Sequence, residues 1–392
     1  MRPFFINFAA MQSDSRKILL MGDYSNCHRS LATGLRRLGH DVTVASNGSR
    51  WMDTERDIDL SRQSKGKLGG AALWLRLCGP LRHRLEGYDI VAIHNPLMIE
   101  QRPKRCTAIF DRLKAKNGAI FLTAMGADIN YIDACLDPDG PLPYNEWMVY
   151  GHPSPMQTEQ PDLYSRWNNR ALREHTRHVY DNIDGATSIL YEYDAVLRRH
   201  LPSDRRAYIG LPIDTDALQP VELPERIDRV RFFLGRHAGR LAEKGTDLLE
   251  QAARAVVERD PQHAELVIVE NKPYAEYLEL LKSAHVVLDQ IYSYTPATNA
   301  LLAMAYGLNA VSGGEPEFYD FIGETDNRPV INAPTDYESL VDTLLDVVTH
   351  RNDIARRGRA SREFVVKHNA TEKVAARAID FWNSRINAMR QC

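Results

Sequence analysis

Apolar residues in this chain come in short blocks that alternate between two periods. Lys17–Met21 (KILLM) is a run too short for a helix and is bounded by the polar loop Gly22–Asn26, which marks a buried strand. Cys27–Leu38 follows with Leu31, Leu35 and Leu38 at helical spacing. Gly39–His40 closes that helix, and Asp41–Ala45 (DVTVA) is the next strand. More strands are predicted at Ile90–Ile93, Ala119–Leu122, Ala186–Leu190 and Arg206–Tyr208. A β-loop-α-β opening with this spacing builds a doubly wound parallel sheet. The alternation then restarts. Arg231–Leu234, Leu266–Val269, Val286–Asp289 and Ala310–Ser312 read as strands, with helices at Thr246–Glu258, Tyr274–Ala284, Pro296–Tyr306 and Tyr337–Thr349. The pattern predicts an α/β protein of two similar sheets facing one another. Ligands of such sheets bind outside the carboxyl ends of the strands, which places a site in the cleft.

Length agrees with that division, because 392 residues exceed what one core usually organises. The first domain is expected over 1–210 and the second over 211–365, with Pro212, Pro220 and Pro224 punctuating the junction. C-terminal helices over 366–392 are expected to cross back, at least in part, to the first domain through Val374, Ala375, Ala378, Ile379 and Trp382. One long interruption, about 134–184, is rich in Pro, Tyr, Trp and Asn before a charged helix at Asn168–Tyr180. Loops of this length are rare in compact domains unless they serve a site, so this one either shapes the pocket or is a surface excursion. A formal charge of -3 argues against a nucleic-acid binder. No apolar stretch is long enough to span a bilayer, and residues 1–16 read as an irregular lead-in, not a signal peptide. Cys27, Cys78, Cys106, Cys135 and Cys392 have no paired metal spacing, which points to a reducing, cytoplasmic setting without disulfides or a zinc site.

Three loops of the second half fall at predicted strand ends. Gly235–Gly245 (GRHAGRLAEKG) carries Arg236, Arg240 and Lys244 every four residues. Fixed cations there can neutralise a diphosphate leaving group, or form a solvated basic loop. Around Tyr292–Gly307, Pro296 suits a first helical turn with Thr295 as its cap, leaving backbone N–H groups for a phosphate or ribose hydroxyl. Ser312–Glu317 (SGGEPE) is a glycine turn whose carboxylates can bond sugar hydroxyls or cap a surface turn.

These segments resemble the donor domain of retaining glycosyltransferases with the GT-B fold, particularly the large family 4 group. The family's "GR…KG…LL.A" segment is similar to Gly235, Arg236 or Arg240, and Lys244–Gly245, through Asp247–Leu249 to Ala252. Its "EAMA.G.PVV" is similar to Leu302–Val311, its "GG.PE" to Gly313, Gly314, Pro316 and Glu317, and its interdomain "P.GVD…F.P" to Leu211–Asp214 through Leu218 and Pro220. The resemblance implies two Rossmann-like domains and a nucleoside-diphosphate sugar as co-substrate. It puts paired glutamates at 294 and 302, where this chain has Tyr294 and Leu302; Glu315, Glu317, Tyr294 and Asn299 are the available substitutes. Arg240, with Arg236 in reserve, and Lys244 would meet the diphosphate. Tyr294, Pro296, Thr298, Asn299, Gly314 and Glu315 would line the donor side, and Glu317 with Glu315 would position sugar hydroxyls.

In the first half the family's glycine-rich loop corresponds to Gly22–Asn26, and its "HG.D" falls on Met125–Asp128. Asp128, or His94 at the end of IVAIHNP, would orient the acceptor. The expected reaction is sugar transfer to a glycan, lipid-linked or small-molecule acceptor, with retention implied by the resemblance and no metal required. A nucleotide-sugar epimerase and a non-catalytic sugar-nucleotide or glycan-binding protein remain as alternatives. Finally, Arg62–Arg84 carries six Lys and Arg residues and no acid, interleaved with Leu68, Leu73, Trp74, Leu75, Leu77 and Leu81. Such a segment can lie on an anionic membrane surface. Alternatively, Leu73, Leu77 and Leu81 face the sheet, and Gly69, Gly70 and Gly79 break the helix.

Overall fold

The computed structural model describes residues 15–49, 52–236 and 238–391. The lead-in 1–14 and Cys392 lie outside the described residues.

The first sheet has seven parallel strands. They are β1 (Lys17–Met21), β2 (Asp41–Ser46), β3 (Ile58–Asp59), β4 (Ile90–Ile93), β5 (Ala119–Ala124), β8 (Gly185–Ser188) and β9 (Arg206–Tyr208), in the order β3-β2-β1-β4-β5-β8-β9. Between β5 and β8 lies the inserted segment, with a small antiparallel hairpin of β6 (Met148–Val149) and β7 (His152–Pro153). The second sheet has five parallel strands: β10 (Val230–Arg236), β11 (Ala264–Glu270), β12 (Val286–Leu288), β13 (Asn309–Ser312) and β14 (Ile331–Asn332), ordered β11-β10-β12-β13-β14. β1 and β4 are wholly apolar and buried save for Lys17, as strands covered on both faces by helices must be. The two-residue strands β3 and β14 were not visible as runs because two residues make no periodicity.

Helices follow the predicted spacing with shifted ends. Cys27–Arg37 buries Leu31 and Leu35, and the charged helix of the insertion runs Arg170–Asn182. The segment Gly66–Cys78 is one unbroken helix, against the expectation of a break at Gly69 and Gly70. These glycines serve close packing instead: a Cβ on Gly69 would lie 1.7 Å from the Ser64 carbonyl oxygen, and one on Gly70 2.7 Å from the Arg62 guanidinium. The helix ends at Gly79. Leu73, Leu77 and Leu81 are buried against the sheet, whereas Leu68 and Leu75 are 83% and 71% exposed.

The two sheets share one apolar cluster. Ile18, Leu20 and Leu31 of the first domain belong to the same core as Leu301, Met304 and Phe318 of the second. Helix Thr371–Gln391 lies along helix Cys27–Arg37, and its Trp382 stacks on Phe121 of β5 with ring centroids 5.8 Å apart. The architecture is two Rossmann-like domains facing a cleft, the GT-B arrangement.

Candidate functional site

On the second-domain side, β10 ends in Arg236, and its guanidinium is already committed. Nε donates to Glu270 at 2.6 Å and a terminal nitrogen to Glu250. Arg240 pairs with Glu243 three residues on, at 2.9 Å through Nε. Lys244 differs. It closes the short helix Leu241–Lys244, which Gly245 terminates at φ +70°. Its ammonium makes no hydrogen bond among the described residues and has one ion contact, 3.9 Å to Asp289. Asp289 is buried after β12, bonded through Oδ2 to the Ser312 hydroxyl at 2.9 Å, while Oδ1, the oxygen that faces Lys244, makes no hydrogen bond among the described residues. The Ile291 amide donates to the Lys244 carbonyl at 2.9 Å, so this cation and the loop after β12 are tied together.

That loop corrects the expected helix start. The helix runs Thr298–Ala305 with Ala297 at its cap, not from Pro296 with Thr295 capping. The Thr295 hydroxyl is unavailable as a cap: its oxygen accepts the Tyr191 amide of the first domain at 3.1 Å, and its proton goes to Glu192 at 2.7 Å. Pro296 is buried behind it. Tyr294 is also enclosed: its ring stacks on Tyr144 of the insertion at 4.6 Å and 18°, and its hydroxyl accepts the Tyr144 amide at 3.3 Å. Thr298 meets the Cys27 thiol at the start of the first helix. Asn299 accepts the Tyr277 hydroxyl at 2.7 Å, and Gly235 lies beneath the same tyrosine, where a Cβ would come within 2.5 Å of its oxygen.

After β13, the Gly314 amide donates to Asn332 at 2.9 Å. Glu315 Oε1 accepts from Tyr144 at 2.7 Å and Asn332 at 2.8 Å. Glu317 is exposed on the first turn of helix Pro316–Ile322; burial raises the Tyr191 and Tyr294 phenols, and the charge of Glu317 adds to it. The structure thus gathers Lys244, Tyr294, Thr298, Gly314, Glu315 and Glu317 at the strand ends. Arg236 and Arg240 stand there with their charges paired.

On the first-domain side, a small open cavity lies at the carboxyl ends of β1, β2 and β4, lined by Gly22, Asp23, Tyr24, His94, Met98 and Glu100 among others. Gly22 has φ +78°, and a Cβ there would lie 1.8 Å from His94 Nδ1, so only glycine lets the imidazole sit over β1. His94 Nδ1 is 3.3 Å from the Met21 carbonyl, which holds the proton on that nitrogen and leaves Nε2 as an acceptor. Burial and the neighbouring His28 push its pKa down to about 3, so it is neutral at physiological pH. His28 is neutral as well, lowered to about 4 by burial, with Nδ1 2.7 Å from the Gly22 carbonyl and Nε2 unpartnered.

Asp23 went unnoticed in the sequence. It is 2% exposed. Oδ1 accepts the His28 amide at 2.9 Å; Oδ2 makes no hydrogen bond of good geometry, although the Ser49 hydroxyl is near enough to favour the carboxylate. Burial raises its pKa to about 7, against the pull of the surrounding amides. Adjacency to Gly22 at a strand end was the available signal. Asp128 is used differently: it caps helix Ile129–Leu136 through the Tyr131 amide (2.9 Å) and accepts the Tyr180 hydroxyl (2.9 Å). Burial raises its pKa too. Tyr180, Ile129 and Asn130 line a second cavity; Asp128 lines neither that one nor the cavity of His94. The insertion supplies Glu146 as well, bonded to the Tyr131 hydroxyl at 3.1 Å and raised to about 7 by burial.

Among the described residues no group of three or more His, Cys, Asp or Glu is set to hold a metal ion. No helix there is long and apolar enough to cross a membrane.

No family model matches the chain, and no curated protein matches it by sequence. Solved structures do match in shape. Sucrose-phosphate synthase from Thermosynechococcus elongatus superposes with a TM-score of 0.61 at 14% identity, covering 95% of this chain and 100% of that one. Anabaena HepE in complex with UDP and glucose gives 0.55 at 11%, covering 94% and 100%. A Listeria monocytogenes protein described as a UDP-N-acetylglucosamine 2-epimerase gives 0.50 at 13%, covering 93% and 95%. At these identities the likeness is one of fold, and the fold is the two-domain GT-B arrangement found among proteins that handle nucleotide sugars.

Proposed function

We propose that this chain transfers a sugar from a nucleoside-diphosphate sugar to a hydroxyl of a glycan, lipid-linked or small-molecule acceptor. One observation carries the reading. Lys244, a cation with unspent donors, stands at the strand ends of one sheet, and Asp23, a carboxylate with an unspent oxygen, stands at those of the other. In the reaction the acceptor oxygen bonds to the anomeric carbon as the bond to the diphosphate breaks. Lys244 neutralises the charge that grows on the leaving group, joined by Arg240 once the diphosphate displaces Glu243 from it. Glu317 and Glu315 position sugar hydroxyls, while the proton that leaves the acceptor hydroxyl passes to Asp23, beside His94. Retention follows from the family resemblance; proton NMR of the product's anomeric signal reads it directly.

A thermal-shift screen against nucleoside diphosphates and their sugars, then an assay of the best hit, tests the reading. Lys244→Ala is expected to lower turnover at saturating donor by more than tenfold, about 1.4 kcal/mol of transition-state stabilisation. Unchanged turnover would remove Lys244 from this role. Nucleotide sugar isomerised without an acceptor would instead identify an epimerase.

The acceptor side also supports contact with the cytoplasmic face of a membrane. Leu68 and Leu75, seven residues apart on helix Gly66–Cys78, are exposed in a segment that also exposes Lys65, Lys67, Arg82 and Arg84. Exposed apolar side chains in a basic segment suit an anionic bilayer. The chain is expected to sediment with anionic liposomes, less so at raised salt, and the double variant Leu68→Asp/Leu75→Asp is expected to lose that binding. Equal, negligible sedimentation with anionic and neutral liposomes would exclude the contact and leave the transferase reading untouched.

A further inference from the structure

Glu192 opens helix Tyr191–His200, which follows β8 in the first domain. Its side chain reaches into the second domain. There Oε1 accepts the amides of Tyr294 (2.6 Å) and Thr295 (3.0 Å), and Oε2 accepts the Thr295 hydroxyl (2.7 Å). Two successive amides turned on one oxygen form an anion-binding concavity. This one lies in the loop after β12, at the edge of the sheet where ligands of parallel α/β sheets bind. Charge-assisted bonds offset the loss of hydration, so a carboxylate only 5% exposed is held there.

A second first-domain group acts beside it. Tyr144 stacks on Tyr294, and its hydroxyl lies 2.7 Å from Glu315 and 3.1 Å from the Ser293 carbonyl. The concavity, the Tyr294 ring and Glu315 are thus all covered by side chains from the opposite domain. The loop that forms the concavity is also bonded to the Lys244 carbonyl, so the anion nest and the proposed diphosphate cation belong to one unit.

We infer that Glu192, with Tyr144, is a latch that fills the amide concavity of residues 294–295 and leaves it when a phosphoryl group enters. The identity of that group as part of a nucleoside diphosphate rests on the proposed function; the chemistry of the concavity does not. A phosphate can take the two amides only after the carboxylate has withdrawn, so binding is tied to a shift between the domains. Apparent affinity is then reduced by the fraction of molecules still latched.

Amide hydrogen exchange and calorimetric titration with UDP and with pyrophosphate, on wild type, Glu192→Gln and Glu192→Ala, test this. The Tyr294 and Thr295 amides are expected to exchange at least tenfold faster in Glu192→Ala. UDP and pyrophosphate are expected to bind at least tenfold more tightly to both variants. Tyr144→Phe, which keeps the ring stack, is expected to shift affinity in the same direction by less, and it stands in if the Glu192 variants fold poorly. Unchanged exchange in Glu192→Ala overturns the latch. Faster exchange with unchanged pyrophosphate affinity overturns the competition. Tighter pyrophosphate binding with no response to UDP or any other nucleotide keeps the latch and removes the nucleotide from the proposed function.

Discussion

Replacing Trp382 with alanine is expected to destabilise the folded chain by about 3–5 kcal/mol, read as a lower urea midpoint. Trp382 is fully buried and stacks on Phe121 of the first sheet, although it stands ten residues from the end of the chain. Its helix has no slack in which to collapse onto the void. Gly34 of the facing helix approaches so closely that a Cβ would lie 2.3 Å from the Thr371 carbonyl oxygen. Arg37, on that same helix, reaches Glu372 at 2.5 Å and Asp214 at 3.0 Å. The indole nitrogen is buried without a partner. Trp382→Phe removes an unsatisfied donor along with some volume and is expected to cost clearly less than alanine. An unchanged midpoint in Trp382→Ala would show that this helix does not hold the first domain.

Asp23→Asn is expected to lower turnover by about a hundredfold, the lower end of what a positioned proton acceptor contributes. Wild-type activity is expected to rise with pH through about 7, the value to which burial lifts Asp23. That limb should vanish in the asparagine variant. His94 and His28, pushed down to about 3 and 4, supply no such limb. Stability separates this effect from unfolding. An acid whose folded pKa is raised contributes stability at low pH that is lost as pH rises through the folded value. Asp23→Asn should therefore fare better against wild type at pH 8 than at pH 5, since Oδ1 can still accept the His28 amide. Activity lost in parallel with stability at pH 8 would make Asp23 a structural group.

The sequence alone determined the parts that rest on local periodicity. Buried parallel strands read as apolar runs, and covering helices repeat every three to four residues; both rules act over a few neighbours. That is why β1, β4, β9 and the helix Tyr337–Thr349 stand where the pattern put them. The doubly wound class of both sheets, and with it the expected cleft, followed from alternation between the two periods; the order of the strands did not. The loops at the strand ends were legible for the same reason, as polar, glycine-bearing interruptions after each run.

The tertiary structure alone decided which of those loop side chains are free. Arg236 and Lys244 look alike in the sequence, yet Glu250 and Glu270 neutralise the first while the second keeps its donors. The carboxylates lie 14 and 34 residues away, beyond any local pattern. Thr295 reads as a helix cap because it precedes proline, but its oxygen accepts the Tyr191 amide and its proton goes to Glu192, partners 104 and 103 residues upstream. Tyr144 and Glu192 carry no signal at all, since their partners become neighbours only when the two domains close. A chain's periodicity specifies its elements because the forces behind it act between near neighbours. The state of an ionisable group depends instead on what burial brings within about 4 Å, where desolvation and charge pairing dominate.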